Sequence, residues 1–377
     1  MRILHVSSGN LYGGLETMLI TIARFRHLCP VMEPTFAFSF EGRVTEELKA
    51  MGLPVYQLGN VRISRPWTIW RARRKLQRLI CERSFDAVVC HSKWPLAIFG
   101  PVVKSSSLLV FWLHESTTGR HWLDTWTRAV TPDYAICNSR FTASELPKLF
   151  PKLSAKTISH PVDLDRPRPS AETRSRVRKE AHTRDDEIVI VQVSRMESWK
   201  GHLLHLRALA LLRSNPAWTC WFVGGAQRPE EHDYLAKLRE LAVNLAISER
   251  VRFLGERSDV PELLASADIF CQPNQEPEPF GISFIEALLA SLPVVSTSIG
   301  GALEIIDSSC GILTAPNDVE ALARALRALV ESRELRQELG TSGPSRARGL
   351  CDPKTQLERV MEAIAENVTK PPRKLIQ

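Results

Sequence analysis

The sequence lacks any long apolar run. Its longest uninterrupted apolar stretches, such as 108–113, are far shorter than the roughly 20 residues of a membrane-spanning helix, so a transmembrane helix is excluded. The first ten residues, MRILHVSSGN, hold one charge and then a short strand-like run, which predicts that no secretion signal is present. The eight cysteines include no C-x-x-C pair, which argues against a zinc site or a disulfide framework. We therefore expect buried free thiols in a reducing cytoplasm.

Acidic residues are scarce in the first part of the chain. Residues 1–165 contain 21 Lys and Arg against 13 Asp and Glu, whereas residues 166–377 contain 28 against 29. The basic excess predicts an anionic partner for the first part, such as phospholipid headgroups, a phosphorylated acceptor or nucleic acid. Because no nucleic-acid-binding motif accompanies the charge, we expect no nucleic acid partner.

Short β-rich segments alternate with amphipathic helical segments along most of the chain. The alternation predicts an α/β fold with parallel sheets covered by helices on both faces. A proline-rich and charged stretch at 161–185 interrupts it, and we interpret this stretch as a hinge with a short helix after Pro169. With 377 residues, the prediction is two doubly wound, Rossmann-like domains, 1–165 and 166–377, with a cleft between them.

The end of the chain has a helical pattern. We expect helix over 318–368, with a break near 340–349 where glycines accumulate, and a frayed tail at 369–377. The last helix could pack back on the first domain.

The most informative segment is EPEPFGISFIEALL, residues 276–289, which lies between two predicted strands. Its pattern predicts a turn followed by a helix from about Ile282, so that the backbone N–H groups of Gly281, Ile282 and Ser283 point out of the helix and can bind phosphate. Glu278 precedes the helix and Glu286 lies eight positions later, and carboxylates of this kind accept hydrogen bonds from sugar hydroxyls. An ordinary strand–turn–helix with two surface glutamates would have the same local pattern.

Two further segments could bind phosphate. Arg195 and Lys200 lie in the loop after a buried strand, where open α/β sheets bind ligands, and two cations there suit a diphosphate. Gly13 and Gly14 precede the first helix and permit a close approach to phosphate, although neither a G-x-G-x-x-G fingerprint nor a P-loop is present. A solvated loop and a simple glycine turn are the plainer alternatives.

Together these segments resemble the retaining GT-B glycosyltransferases, the large family that includes bacterial mannosyl- and glucosyltransferases. Glu278 and Glu286 match its E-x7-E signature, and Arg195 and Lys200 match its Arg…Lys pair. Further matches are FVGG at 222–225, 251–270 and 296–306 in the second half, and Gly13-Gly14, His114, 137–142 and 160–169 in the first. Glu276 adds a second carboxylate before Glu278, and we assign the signature to Glu278 because only it has the right spacing to Glu286.

The resemblance implies a role for each residue. The first domain would bind the acceptor and the second the nucleotide sugar. Glu286 would bind the ribose, Glu278 and the 281–283 amides the transferred sugar, and Arg195 and Lys200 the diphosphate. The Gly14 amide would reach the diphosphate, and His114 would contact the donor sugar. No metal would be required, and the donor would be a UDP- or GDP-sugar.

The resemblance also implies the reaction. A retaining transfer to a glycan or lipid-linked acceptor, in cell-surface polysaccharide or glycolipid synthesis, would use the leaving phosphate itself to take the acceptor proton. The alternatives left open are a GT-B sugar-nucleotide epimerase and a non-catalytic nucleotide-sugar binder. Taken without the resemblance, a lone histidine such as His114 is more often structural, and His5, His91 and His160 are given no functional role.

One helix is strongly basic. Residues 67–83, WTIWRARRKLQRLICER, have apolar residues at helical spacing, which predicts one buried stripe and a cationic remainder. The cationic face is either simply solvated or a surface that attaches the protein peripherally to an anionic membrane.

Overall fold

The computed structural model describes residues 1–104, 106–165, 170–215 and 217–368. Two compact units are present. The first unit comprises Met1–Asp163 together with the chain from Cys351 onward, and the second unit comprises Leu164–Leu350. The α/β prediction is confirmed, because each unit contains one parallel sheet with helices packed against it.

The first unit contains a seven-stranded sheet with the order β3-β2-β1-β4-β5-β6-β7. Its strands are β1 (Arg2–Ser7), β2 (Glu33–Phe38), β3 (Val55–Gln57), β4 (Ala87–His91), β5 (Leu108–Leu113), β6 (Tyr134–Cys137) and β7 (Ala155–Thr157). Its helices are α1 (Gly14–Arg24), α2 (Arg43–Ala50), α3 (Pro66–Arg83), α4 (Lys93–Val103), α5 (Trp122–Arg128) and α6 (Arg140–Glu145). The middle strands are buried along almost their whole length, as expected for a sheet covered on both faces.

The second unit contains a six-stranded sheet with the order β10-β9-β8-β11-β12-β13. Its strands are β8 (Ile188–Val193), β9 (Trp218–Val223), β10 (Val251–Gly255), β11 (Ile269–Gln272), β12 (Val294–Thr297) and β13 (Gly311–Thr314). Its helices are α7 (Ala171–Glu180), α8 (His202–Ala210), α9 (Pro229–Asn244), α10 (Val260–Ser266), α11 (Ile282–Leu289), α12 (Ala302–Ile305), α13 (Val319–Glu331) and α14 (Arg333–Cys351). The predicted short helix after Pro169 is α7, while 166–169 of the predicted hinge lie outside the described residues.

The last helix, α15 (Pro353–Val368), belongs to the first unit and packs near α1 and β5. The predicted frayed tail, 369–377, lies outside the described residues. Within the described ranges, no helix combines the length and the apolarity needed to cross a bilayer. All eight cysteines are free, and all but Cys81 are buried, which confirms the prediction of buried free thiols for seven of them.

The predicted helix break at 340–349 is wrong. Helix α14 runs continuously through Gly340 and Gly343, and the helical chain is interrupted at Ser332 and Asp352 instead. The glycines are explained by packing: a Cβ on Gly340 would lie 2.3 Å from the Ser291 carbonyl oxygen, and one on Gly343 would lie 2.7 Å from that of Leu288. These glycines therefore allow α14 to contact the backbone at the end of α11 directly.

This contact predicts opposite effects for two glycines of the same helix. Gly340→Ala forces a methyl group against a backbone carbonyl, and we expect it to lower the free energy of unfolding by about 1–3 kcal/mol. Gly349, whose Cβ would meet no atom within 4 Å, serves as the control. Gly349→Ala should raise the unfolding free energy by about 0.5–1 kcal/mol because alanine favours helix. Urea titration of both variants measures the difference, and equal effects would contradict the packing argument.

Candidate active site

An ion pair lies at the carboxyl edge of the second unit's sheet. Lys200, in the loop after β8, places its Nζ 2.5 Å from Oε2 of Glu278, which follows β11. Both side chains are largely buried, with 13% and 12% of their surfaces exposed. Strands β8 and β11 are neighbours in the sheet, so the loops that follow them meet at this edge. Two residues that the sequence placed in separate segments are thus in direct contact.

The Glu278 carboxylate has two more polar neighbours that the sequence analysis missed. The side-chain amides of Gln272 and Asn274 place their nitrogens 3.3 and 3.4 Å from the same Oε2 atom. Gln272 is also joined to the next helix, because Ser283 Oγ lies 3.2 Å from its Oε1 atom. Their position at the end of a buried strand, in IFCQPN, is the signal that could have identified them. These contacts fix the carboxylate in one orientation, whereas Glu276 is exposed.

Helix α11 begins as predicted, at Ile282. Gly281 precedes it with a φ of +105°, a left-handed conformation that side chains rarely adopt. A Cβ there would lie 2.4 Å from the Phe284 ring, so the turn requires glycine. The first backbone N–H groups of the helix have no acceptor within the helix, which leaves Ile282 and Ser283 suited to bind an anion.

Glu286 lies one turn further along α11 than Ser283. It lines a cavity of about 570 Å³ inside the second unit, between α10, α11 and α14. Three arginines, Arg174, Arg333 and Arg336, also line this cavity. We call Lys200, Gln272, Asn274 and Glu278 the Lys200 cluster. Glu278 and Glu286 are therefore presented by one strand–turn–helix segment, but only Glu278 belongs to this cluster.

Arg195 does not contact the Lys200 cluster through any of the bonds seen in the described residues. Its Nη2 atom lies 2.8 Å from Oε1 of Glu197, and its Nη1 atom lies 3.5 Å from Oε1 of Glu231. Glu231 is buried on α9, and a buried carboxylate requires a cationic partner. Arg195 thus compensates two carboxylates in this structure, which the sequence analysis did not anticipate.

In the predicted glycine turn of the first unit, one backbone N–H group already has a hydrogen-bond acceptor within the protein. The backbone N–H of Gly13 donates to Oε2 of Glu16 at 3.0 Å, and Gly14 is the first residue of α1. Gly13 has an extended backbone that any residue can adopt, so the structure gives no conformational reason for glycine there.

His114 follows β5 and is one of four histidines joined end to end. Its Nε2 atom lies 3.0 Å from Nδ1 of His91, and its Nδ1 atom lies 2.9 Å from Nε2 of His160. His91 in turn places Nε2 2.9 Å from Nδ1 of His5. We call His5, His91, His114 and His160 the histidine chain. A sugar hydroxyl that bonded to a ring nitrogen of His114 would have to replace one of these links.

Burial keeps the histidine chain neutral. It lowers the pKa of His5 and His160 to about 3. Burial, and then the neighbouring histidines, hold the pKa values of His91 and His114 well below 6.5. In the second unit, burial likewise lowers the pKa of His202 and His205 to about 3.

The six neutral histidines predict a stability that declines in weak acid. Below pH 6.5 the unfolded chain binds protons that the folded chain excludes, so the free energy of unfolding falls as the pH decreases towards 3. Each group contributes about 1.4 kcal/mol per pH unit. Burial raises the pKa of Glu115, so this carboxyl acts in the opposite sense, but it is one group against six.

Urea unfolding at pH 7.5 and 5.5 measures this decline, and most carboxylates, which titrate near pH 4, change little in that interval. His205→Gln removes one of the six groups. The dependence of the unfolding free energy on pH should then become weaker by the contribution of one proton. Equal unfolding free energies at the two pH values would contradict the prediction.

Each of the two units matches a known protein family in sequence. The family described as Glycosyltransferase Family 4 matches residues 12–166, and Glycosyl transferases group 1 matches residues 173–346. A GDP-mannose-dependent alpha-(1-6)-phosphatidylinositol monomannoside mannosyltransferase of Mycolicibacterium smegmatis is 29% identical over 287 residues, which are 71% of this chain and 73% of that protein. The lipopolysaccharide core biosynthesis mannosyltransferase LpsB of Rhizobium meliloti is 24% identical over 273 residues, 71% of each chain.

A solved structure agrees over nearly the whole chain. HepE from Anabaena, in complex with UDP and glucose, superimposes with a TM-score of 0.86 at 24% identity, over 97% of this chain and 100% of that one. This likeness shows the fold, and the two matched families together cover most of each unit. The predicted resemblance is confirmed as far as the GT-B glycosyltransferases in general, and the chain belongs to them.

Proposed function

We propose that the protein is a retaining, metal-independent hexosyltransferase that moves a sugar from a UDP- or GDP-sugar to a glycan or lipid-linked acceptor in cell-surface polysaccharide or glycolipid synthesis. The Lys200–Glu278 pair at the carboxyl edge of the second sheet carries this proposal. It lies in the part of the chain that matches Glycosyl transferases group 1, and the relatives reported above are transferases acting in glycolipid or lipopolysaccharide synthesis.

The pair places a phosphate-binding cation beside a sugar-binding anion. A lysine ammonium has three donors, so Lys200 can bind a phosphate oxygen while it keeps its bond to Glu278. As the bond to the sugar breaks, negative charge grows on the leaving diphosphate, and a fixed cation stabilises that charge. Glu278, held by Lys200, Gln272 and Asn274, would accept hydrogen bonds from the sugar hydroxyls.

The other predicted residues complete the proposed donor site. Glu286 would bind the ribose hydroxyls, and the N–H groups at the start of α11 would bind the sugar or phosphate. Arg195 would bind the diphosphate after giving up part of its bonding to Glu197 and Glu231. Gly13, Gly14 and His114 of the first unit would contact the diphosphate and the sugar.

We propose retention of configuration because the chain resembles the retaining GT-B glycosyltransferases. A hydrolase needs two carboxylates that flank the scissile bond, whereas Glu278 and Glu286 come from one strand–turn–helix segment. We do not assign them as the two carboxylates of a hydrolase, and, as the resemblance implies, the leaving phosphate would take the acceptor proton. Neither an epimerase nor a non-catalytic binder is favoured, since the relatives reported above are transferases.

A nucleotide-sugar panel tests the donor assignment. We expect UDP- or GDP-sugars to raise the melting temperature, with an added stability of about 2.7 kcal/mol at a hundredfold excess over Kd, unchanged by chelator. Glu278→Gln should lower kcat/KM by roughly 10- to 100-fold because one charged hydrogen-bond acceptor is lost. Glu276→Gln, which alters an exposed carboxylate two residues away, is the matched control and should change little.

The anomeric configuration of the product, followed by NMR, completes this test. A product with the donor's configuration supports retention, and an inverted product would contradict it. Activity lost with chelator would contradict metal independence, and no stabilisation by any nucleotide diphosphate would overturn the proposal.

We also propose that α3 attaches the protein to the anionic cytoplasmic face of the cell membrane. The predicted apolar stripe is buried at Ala72, Leu76, Leu79 and Ile80. The opposite side of α3 and the segment just before it carry the basic–aromatic patch, which consists of Arg62, Arg65, Trp67, Trp70, Arg71 and Arg74, all exposed. Trp67 and Trp70 are 54% and 55% exposed, and the Arg74 guanidinium lies 4.2 Å from the Trp70 ring centre.

Charge complementarity favours an anionic bilayer as the partner of the patch. Between Glu47 and Glu82 the chain contains no acidic residue. Exposed tryptophans beside arginines suit the headgroup region, where the ring meets acyl chains and the cation meets phosphate. Arg73 is different, because its Nε atom donates to the Ile98 carbonyl at 2.6 Å and thereby ties α3 to α4.

Vesicle sedimentation tests the membrane proposal. Full-length protein should bind vesicles that contain anionic lipid more tightly than neutral vesicles, and Arg62→Gln, Arg71→Gln and Arg74→Gln together should weaken binding by about 1 kcal/mol per charge. The control combines Arg213→Gln, Arg324→Gln and Arg348→Gln, which remove three exposed charges elsewhere. Equal binding to both vesicle types, or an equal loss in the control, would refute it.

A further inference from the structure

Gln192 lies near the carboxyl end of β8 and is completely buried, although every other residue of that strand is apolar. Its Nε2 atom lies 2.9 Å from the backbone carbonyl oxygen of Lys200 and 3.3 Å from Oγ of Ser194. Its Oε1 atom lies 2.9 Å from Nδ1 of His205, on α8. One buried side chain thus joins the strand both to the loop that carries Lys200 and to the helix that follows this loop.

The direction of the Gln192 amide is determined by the group that it contacts. A backbone carbonyl oxygen can only accept hydrogen bonds, so the NH2 group of Gln192, and not its oxygen, must face Lys200. The Gln192 oxygen then faces His205, which has to donate from Nδ1. Burial lowers the pKa of His205 to about 3, so the ring is neutral and carries its one proton on this nitrogen. The hydrogen bonds therefore run in one direction, from His205 through Gln192 to Lys200.

The backbone of the same loop is held against the loop that follows β11. The Trp199 carbonyl oxygen accepts a hydrogen bond from the backbone N–H of Gln275 at 2.7 Å. Gly201 has a φ of +75°, and a Cβ there would lie 1.8 Å from the Pro273 carbonyl oxygen. The Lys200 carbonyl lies between these two backbone contacts, and its donor is a side chain. A substitution at position 192 can therefore remove this hydrogen bond while the backbone contacts remain possible.

We propose that Gln192 is a positioning residue for Lys200. By binding the Lys200 carbonyl it fixes the peptide group from which the lysine side chain extends towards Glu278 and the diphosphate. The inference rests on the function proposed above, in which Lys200 binds the leaving diphosphate. His205 supports Gln192 by holding its amide in the direction that donates to Lys200.

The Lys200 side chain needs such support because it is long and flexible. Its ammonium lies 2.5 Å from Oε2 of Glu278 and 3.9 Å from the centre of the Trp199 ring. Without Gln192, a buried carbonyl would lose its donor, and the peptide group would tend to turn towards another one. That rotation would change the direction in which the side chain leaves the backbone, and the ammonium would move away from its present contacts.

The other member of the ion pair is supported in a similar way. Gln272, which is also completely buried, lies at the end of β11, and its amide nitrogen is 3.3 Å from the Glu278 carboxylate. Strands β8 and β11 are adjacent in the sheet. Two buried glutamines on neighbouring strands thus support the two charged groups, Gln272 through the side chain of Glu278 and Gln192 through the backbone of Lys200.

Nucleotide binding by the full-length protein tests this role, because Lys200 can contact a diphosphate but has no phosphate to contact in a nucleoside. In Gln192→Leu we expect the Kd for UDP or GDP to rise about 10-fold, the size of effect typical of a residue that orients a binding group. The Kd for uridine or guanosine should stay the same. An equal loss for nucleoside and diphosphate would indicate general damage to the unit and would refute positioning.

A second background shows whether the effect passes through Lys200. If Gln192 acts by positioning the ammonium, Gln192→Leu should weaken diphosphate binding in the wild-type background but add almost nothing once Lys200→Ala is present. The same fold-loss in both backgrounds would refute the proposal. Gln356→Leu removes a buried glutamine of the first unit and serves as the control, which should change neither Kd.

One more variant and one measurement without nucleotide complete the test. If Gln192→Leu does not fold, Gln192→Val, which suits a buried strand, repeats the comparison. In nucleotide-free protein labelled with ¹³C at lysine Cε, the Lys200 signal, assigned by its loss in Lys200→Ala, should shift in the position 192 variant and not in Gln356→Leu. An unshifted signal would overturn the inference. Wild-type protein that binds no nucleotide diphosphate would refute the proposed function, while this spectrum would still report on Lys200.

Discussion

All strands in each sheet run in the same direction, and this constraint determines where functional side chains can meet. The loops that follow parallel strands lie at one edge of the sheet. Residues far apart in the sequence therefore become neighbours through the strand arrangement alone. Lys200 and Glu278 meet because β8 and β11 are adjacent, and His5, His91 and His114 meet because β1, β4 and β5 are adjacent. The order of the strands in each sheet thus explains both the Lys200–Glu278 contact and the contacts among the histidines.

Much of this arrangement could be predicted from the sequence. The alternation of strand and helix patterns predicted the α/β fold, and the EPEPFG turn and its helix were located correctly. The break in α14 was predicted because glycine disfavours an isolated helix, whereas here glycine permits contact with another backbone.

The partners of the predicted site residues were harder to foresee. Gln272 and Asn274 bond to Glu278, and Glu197 and Glu231 form ion pairs with Arg195, but such partners depend on side-chain direction, which spacing does not give. Each of the four histidines, taken alone in the sequence, looks structural. The usable signal was collective, since four histidines lie in or just after strands of one sheet. Strand order was needed to turn that signal into a chain.

The return of α15 to the first unit has a consequence for how this protein can be divided. Leu357, Val360, Met361 and Ile364 on α15 are buried, although more than 180 residues of the second unit separate this helix from Asp163. A fragment ending near residue 165 would lack that covering and expose apolar surface on α1 and β5. A chimera of this enzyme and a relative therefore requires two crossover points, one at each end of the second unit. Both segments of the first unit then come from the same parent.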